Sequence, residues 1–161
     1  MDAEPVIVAN HLYVAYQDKI VLEDVSFCVH RGDFWGIWGP NGSGKTTLLR
    51  TILGLIEPFA GSISILGSSP QQLGKNRDRI GYVPQHALMD FNFPLRVKDA
   101  VLLGRSRKIG IGRRAGAADR AAAERAMALV EITDLADRQI GRLSGGQRQR
   151  VLIARALALE P

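Results

Sequence analysis

The residues best suited to chemistry are Gly39-Pro40-Asn41-Gly42-Ser43-Gly44-Lys45-Thr46. They fit the spacing G-x-x-x-x-G-K-[S/T], followed by a second hydroxyl at Thr47. Glycines at 39, 42 and 44 let the backbone turn successive N–H groups inward around an anion. A helix beginning at the end of the loop adds the positive end of its dipole. Lys45 adds a full charge for the β- and γ-phosphates of a nucleotide, and the Thr46 hydroxyl is a magnesium ligand. The pattern therefore predicts a nucleoside-triphosphate cradle with Mg²⁺, and by itself leaves the class of NTPase open.

Such a loop must sit between a strand and a helix. Phe34-Trp35-Gly36-Ile37-Trp38 is a short apolar run that reads as a buried strand, with Trp35 and Trp38 in or near the core. Leu48 to Leu53 reads as the helix, stopped at Gly54. Residues 6–16 and 20–29 alternate like paired strands around a turn at Gln17-Asp18-Lys19. Ser62–Leu66 and Ile80–Val83 read as further strands, the latter ending at Pro84-Gln85. His86–Arg105 reads as loop and short helix, and Gly104–Gly116 as a mobile surface loop. Asp119–Val130 is alanine-rich, with Arg120 and Glu124 four apart, and reads as a strong helix. Ser144–Leu159 reads as a second, with Val151, Leu152, Ala156 and Leu159 along one stripe. Strands, a phosphate loop and helices in this order predict α/β architecture.

A second anion site is spelled by Leu143-Ser144-Gly145-Gly146-Gln147. Ser144 is a good N-cap, and the two glycines leave the first N–H groups of the helix unobstructed. This pentapeptide is identical to the signature motif of ABC ATPases. With the phosphate loop, Gln85 and Tyr16 in family order, nearly the whole chain resembles the ATP-binding subunit of an ABC transporter. The resemblance implies a P-loop fold of ABC-ATPase type with an antiparallel β subdomain and a helical subdomain. It divides the chain at 1–84 (β subdomain and phosphate-loop core), 85–147 (Q-loop and helical subdomain) and 148–161 (the helix after the signature). It implies that Gln85 touches Mg²⁺ and the attacking water, and that Tyr16 stacks on adenine. Ser144, Gly145, Gly146 and Gln147 would face ATP on a second subunit in a head-to-tail dimer.

Tyr82–Gln85, Asp90–Pro94, Val97–Arg105 and Arg138–Gly141 are similar to ATPases of bacterial manganese, zinc and iron importers. That likeness implies coupling to import of a divalent metal. It also implies permease partners docking along residues 85–101, with Phe91, Phe93 and Pro94 as candidates for docking or local core. The resemblance further calls for a Walker B strand ending in Asp-Glu, which these 161 residues do not contain. The expectation is thus an incomplete ATPase that binds nucleotide weakly and hydrolyses it poorly or not at all. Two alternatives stay open: a non-catalytic nucleotide-binding fragment, and a soluble ABC ATPase not tied to transport.

Composition sets bounds. Apolar residues make up 46% and charged residues 23%, as in ordinary folded domains, and no apolar run approaches the length of a membrane span. Cys28 is the only cysteine, which fits a cytosolic setting, and it reads as a small buried hydrophobe. The expected location is the cytoplasmic face of the membrane. Net charge is +5, but the cations are scattered apart from Arg105–Arg114 and Arg138–Arg155, no basic run is interleaved with aromatics and no nucleic-acid fold signature occurs, so no nucleic-acid partner is expected. His11, His30 and His86 lack metal-ligand spacing and receive no role.

Overall fold

The computed structural model describes residues 4–16, 19–85 and 94–161. They divide into two compact units, Met1–Asn76 and Arg77–Pro161. The first carries the strands and the phosphate loop, and the second is helical.

In the first unit, β1 (Pro5–Tyr16) pairs antiparallel with β2 (Lys19–His30) on one side and β3 (Ala60–Ile65) on the other. The β1–β2 register runs from Val8↔Cys28 through Leu12↔Val25 to Tyr16↔Lys19. Strict alternation would put Ala9 and Leu12 on opposite faces, yet both are buried. A register shift between them reconciles the two, with His11 at φ 45 in the left-handed region. Opposite it, Asp24 stands at φ 49, and its carboxylate lies 2.7 Å from His11 Nδ1. The Ser26 hydroxyl accepts the His11 N–H at 2.8 Å. The bulge thus keeps Ala9, Leu12 and Val14 on one face, where Leu22 and Ile63 complete a core. Leu48 and Ile52 of α1 (Lys45–Ile52), four residues apart, pack on that core. The helix ends as expected: Gly54 at φ 72 donates to Thr51, and Leu55 donates to Arg50, the pairing of a Schellman cap.

The expected strand at Phe34–Trp38 is not formed, and its tryptophans are not core residues. Residues 33–40 form no regular element; Phe34 and Trp38 are 100% and 93% exposed, and Trp35 is 53% exposed. The Trp35 indole donates to Asp33 at 3.2 Å and leans on Phe27 with centroids 5.9 Å apart. An apolar run becomes a buried strand only when neighbours supply a ladder and cover its faces. Among the described residues the only sheet is β2-β1-β3, which does not include this run. The same reason accounts for Ile80–Val83, which is not a strand either. Cys28 is half-buried rather than enclosed, with Sγ 3.5 Å from His30 Nε2.

The second unit is built from α2 (Val97–Leu102), α3 (Ser106–Ile109), α4 (Ala117–Leu129) and α5 (Gly145–Leu157). Val97, Ala100 and Val101 meet Ala123, Ala126 and Met127 from α4, and Val151, Ala154 and Ala158 from α5 and its end. Small residues at these crossings let the helices approach closely, so the core is alanine-rich yet tight. The buried stripe of α5 is Val151, Leu152 and Ala154, continuing to Ala158; Ala156 and Leu159 are only half-buried. The linking segment closes through an Arg96↔Gln139 bridge. Asp137 there meets Lys98 at 2.7 Å and Arg96 at 3.1 Å, first of all the Lys98 hydrogen bond holding its carboxyl below the usual range.

Gly104–Gly116 is not a loop throughout. Leu103–Arg105 makes a 3₁₀ turn running into α3, and Arg105 is buried. Its guanidinium donates to Asp119 at 2.8 Å, to the Ala158 carbonyl at 2.9 Å and to Glu160 at 2.9 Å. Arg125 also grips Glu160, at 2.6 Å, and Lys108 reaches the Leu159 carbonyl. A Cβ on Gly104 would stand 2.0 Å from the Arg155 carbonyl oxygen of α5. Gly104→Ala should therefore force backbone apart and destabilise this unit by about 1–3 kcal/mol. Urea unfolding checks this, and an unchanged midpoint refutes the close approach.

Candidate functional site

The phosphate loop leaves the exposed segment at Gly39 and enters α1 at Lys45. Gly39, Gly42 and Gly44 have φ values of 154, 84 and 87, each in the region that favours glycine. Gly44 has a further reason to be glycine: a Cβ there would lie 2.8 Å from Leu22 Cδ2 and 3.1 Å from the Val21 carbonyl. The loop is thus pressed against β2, which fixes where α1 begins. Ser43 N–H donates to the Pro40 carbonyl at 3.3 Å, closing the turn through Asn41 and Gly42.

Lys45 folds back over this turn. Its ammonium donates to the carbonyls of Gly39 and Pro40 at 2.8 and 2.7 Å, and lies 3.4 Å from the Ser43 hydroxyl. The N–H groups of Lys45, Thr46 and Thr47 belong to the first turn of α1 and have no carbonyl four residues back within the helix. No acidic side chain lies in that turn to neutralise the dipole. A cation and the first-turn amides, reached past exposed Gly39 and Gly42, form the donor set that a polyphosphate requires. The residues fit ATP. Magnesium keeps several waters and binds through phosphates plus one or two protein oxygens, and exposed Thr46 at the second helical position supplies such an oxygen. Tyr16 ends β1 with half of its surface exposed.

The other predicted residues lie in the helical unit. Gln85 is exposed at a bend, not at a strand end. Ser144 caps α5: its hydroxyl accepts Gln147 N–H at 3.3 Å, and Gln147 Oε1 accepts Ser144 N–H at 3.0 Å. Leu143 beside it is buried, anchoring the cap to the core. A Cβ on Gly145 or Gly146 would meet nothing within 4 Å. Internal packing therefore gives no reason for glycine at either position. Ser144→Ala should cost about 1 kcal/mol of stability by removing the cap. Chemical denaturation checks it, with a midpoint equal to wild type as the contrary result. Among the docking candidates, Pro94 is exposed; Phe91 and Phe93, like His86 and Asp90, lie outside the described residues. Arg105 carried no predicted role.

The antiparallel sheet, the loop opening α1 and the helical unit together define a P-loop α/β protein of ABC-ATPase type. The ABC transporter family profile matches residues 22–161, and the chain belongs to that family. It is 48% identical over 148 residues to the manganese transport system ATP-binding protein MntB of Bacillus subtilis, covering 92% of this chain and 58% of that protein. It is 40% identical over 157 residues to the zinc uptake system ATP-binding protein ZurA of Listeria innocua, covering 97% and 61%. A solved metal-chelate-type ABC transporter in an inward-facing conformation superposes with TM-score 0.83 at 35% identity, covering 98% of this chain and 57% of that one. The chain thus spans somewhat under two thirds of the length of these relatives. Among the described residues no helix is long and apolar enough to cross a membrane.

Proposed function

We propose that this chain binds MgATP through Gly39–Thr47. In a protein of its relatives' length, it would be the energy-coupling ATPase of a transporter importing a divalent metal ion. One observation carries the nucleotide reading: an ammonium group held by neutral carbonyls at 2.7 and 2.8 Å, over a glycine turn at a helix N-terminus. Phosphate oxygens are stronger acceptors than those carbonyls and can take their place.

In this reading Lys45 and the loop amides bind the phosphates, Tyr16 stacks on the base, and Thr46 with Gln85 serves magnesium. Bound magnesium supplies charge neutralisation at the β- and γ-phosphates. Ser144 to Gln147 supply the second anion site, facing ATP held by another subunit in a head-to-tail dimer. Permease subunits dock on the segment beginning at Gln85, and the complex lies on the cytoplasmic face of the membrane. The metal cargo rests on the names of the manganese and zinc relatives. ATP hydrolysis, permease coupling and cargo are proposed for the whole protein. The residue divisions 1–84, 85–147 and 148–161 follow these roles.

The test is a calorimetric titration of the full chain with MgATP. Saturable binding that ADP displaces and AMP does not is the expected result, because the grip is on the β-phosphate and beyond. Absence of binding, or equal displacement by AMP, overturns the reading.

A further inference from the structure

The turn after α3 has no part in the nucleotide site. Ile111 sits between Gly110 (φ 87) and Gly112 (φ 75), and its side chain is fully exposed, at 105%. Gly110 N–H donates to Ser106 at 3.0 Å and Arg113 N–H to Gly110 at 3.4 Å, so the turn is tied to the helix behind it. Arg113 and Arg114 follow, both exposed, and among the described residues neither makes an ion pair. The other cations of the stretch are engaged inward: Arg105 with Asp119 and Glu160, Arg107 with Asp78 at 2.8 Å, and Lys108 with the Leu159 carbonyl. No acidic residue occurs from Ala100 to Ala118; Asp99 and Asp119 bracket the stretch, and Arg105 binds the second.

A protruding aliphatic side chain beside two uncommitted guanidinium groups fits one kind of surface. Against nucleic acid the arginines would serve, but Ile111 would face phosphates and water, with no aromatic to stack on bases. Against a protein groove, a single isoleucine on a glycine turn offers little area. At a bilayer interface both parts are used: the aliphatic group enters the headgroup boundary, and arginine meets lipid phosphate. We propose that the Gly110–Arg114 turn is a contact surface for an anionic lipid membrane, inserting Ile111 while Arg113 and Arg114 bind lipid phosphates. Each cation near an anionic leaflet raises partitioning about fivefold, so the contact is weak alone. It would act as a second foothold beside a membrane-embedded partner.

The test measures partitioning of the full chain onto phosphatidylglycerol–phosphatidylcholine vesicles and onto pure phosphatidylcholine vesicles. Binding to the mixed vesicles alone, weakened by added salt, is expected. R113Q/R114Q should lower partitioning about 25-fold and I111S about tenfold. K19Q/K75Q, which removes the same charge from exposed positions elsewhere, should stay within about twofold. Equal binding to both vesicles, an equal loss in K19Q/K75Q, no loss in the loop variants, or tighter binding to duplex DNA than to vesicles would each overturn the proposal. Circular dichroism of the loop variants should match wild type, because the substituted side chains are exposed. The assay does not involve nucleotide, so its result is independent of the MgATP titration.

Discussion

Lys45→Ala should weaken MgATP binding by about 10- to 150-fold while leaving folding stability nearly unchanged. The two halves of this expectation have separate physical origins. In the nucleotide complex the ammonium would make hydrogen bonds with charge on both partners, worth about 1.5–3 kcal/mol, which converts to that range of affinity. Without nucleotide its acceptors are the carbonyls of Gly39 and Pro40 on an exposed loop, which water can satisfy once the side chain is removed. Stability should therefore change by no more than about 0.5 kcal/mol. Lys45→Arg should not restore affinity, because a planar fork cannot occupy the compact position that the ammonium takes between Gly39, Pro40 and Ser43. Titration calorimetry with MgATP on both variants, alongside urea unfolding, separates binding from folding. Wild-type affinity in Lys45→Ala would remove the electrostatic basis of the proposed site.

Much of the site was legible because its rules are local. Three glycines, a lysine and a threonine at set spacing specify a turn leading into a helix, although the seating of Gly44 against Val21 and Leu22 is no part of that pattern. The Gly54 stop and the Ser144–Gln147 capping box are equally local, each closed by hydrogen bonds spanning only a few residues. The β1–β2 hairpin was legible from alternation, although its bulge at His11 was not, since it depends on Asp24 and Ser26 across the ladder. Strand expectations failed where the strand state depends on partners rather than on the run itself, as at Phe34–Trp38 and Ile80–Val83. Arg105 was hidden for the same reason. Glycine, arginine and lysine around it spell an exposed loop, yet its partners lie 14, 53 and 55 residues away.

Arg105→Met should destabilise the helical unit by about 2 kcal/mol at neutral pH, and the deficit should shrink in acid. Burial works against the guanidinium charge, but hydrogen bonds to Asp119 and Glu160 outweigh it and raise its pKa above the ordinary value. The effect on the carboxylates is opposite. Asp119 is held below the usual range by Arg105 first and then by the Gly116 N–H, and Glu160 by Arg125 and then Arg105. A carboxyl whose pKa is lower folded than unfolded stabilises the fold above its unfolded value, and that contribution disappears as pH falls through the folded one. The wild-type advantage should accordingly be full near pH 6.5 and decline below about pH 4. Methionine keeps much of the buried aliphatic volume, so what it removes is chiefly the three hydrogen bonds, including that to Ala158 at the negative end of α5. Urea midpoints of both proteins at pH 6.5 and pH 3.5 provide the measurement. A gap of the same size at both pH values would mean that Arg105 acts through packing and the Ala158 carbonyl, not through the two carboxylates. A closing gap ties the C-terminal end of α5, whose other end carries Ser144, to the ionisation of two carboxylates.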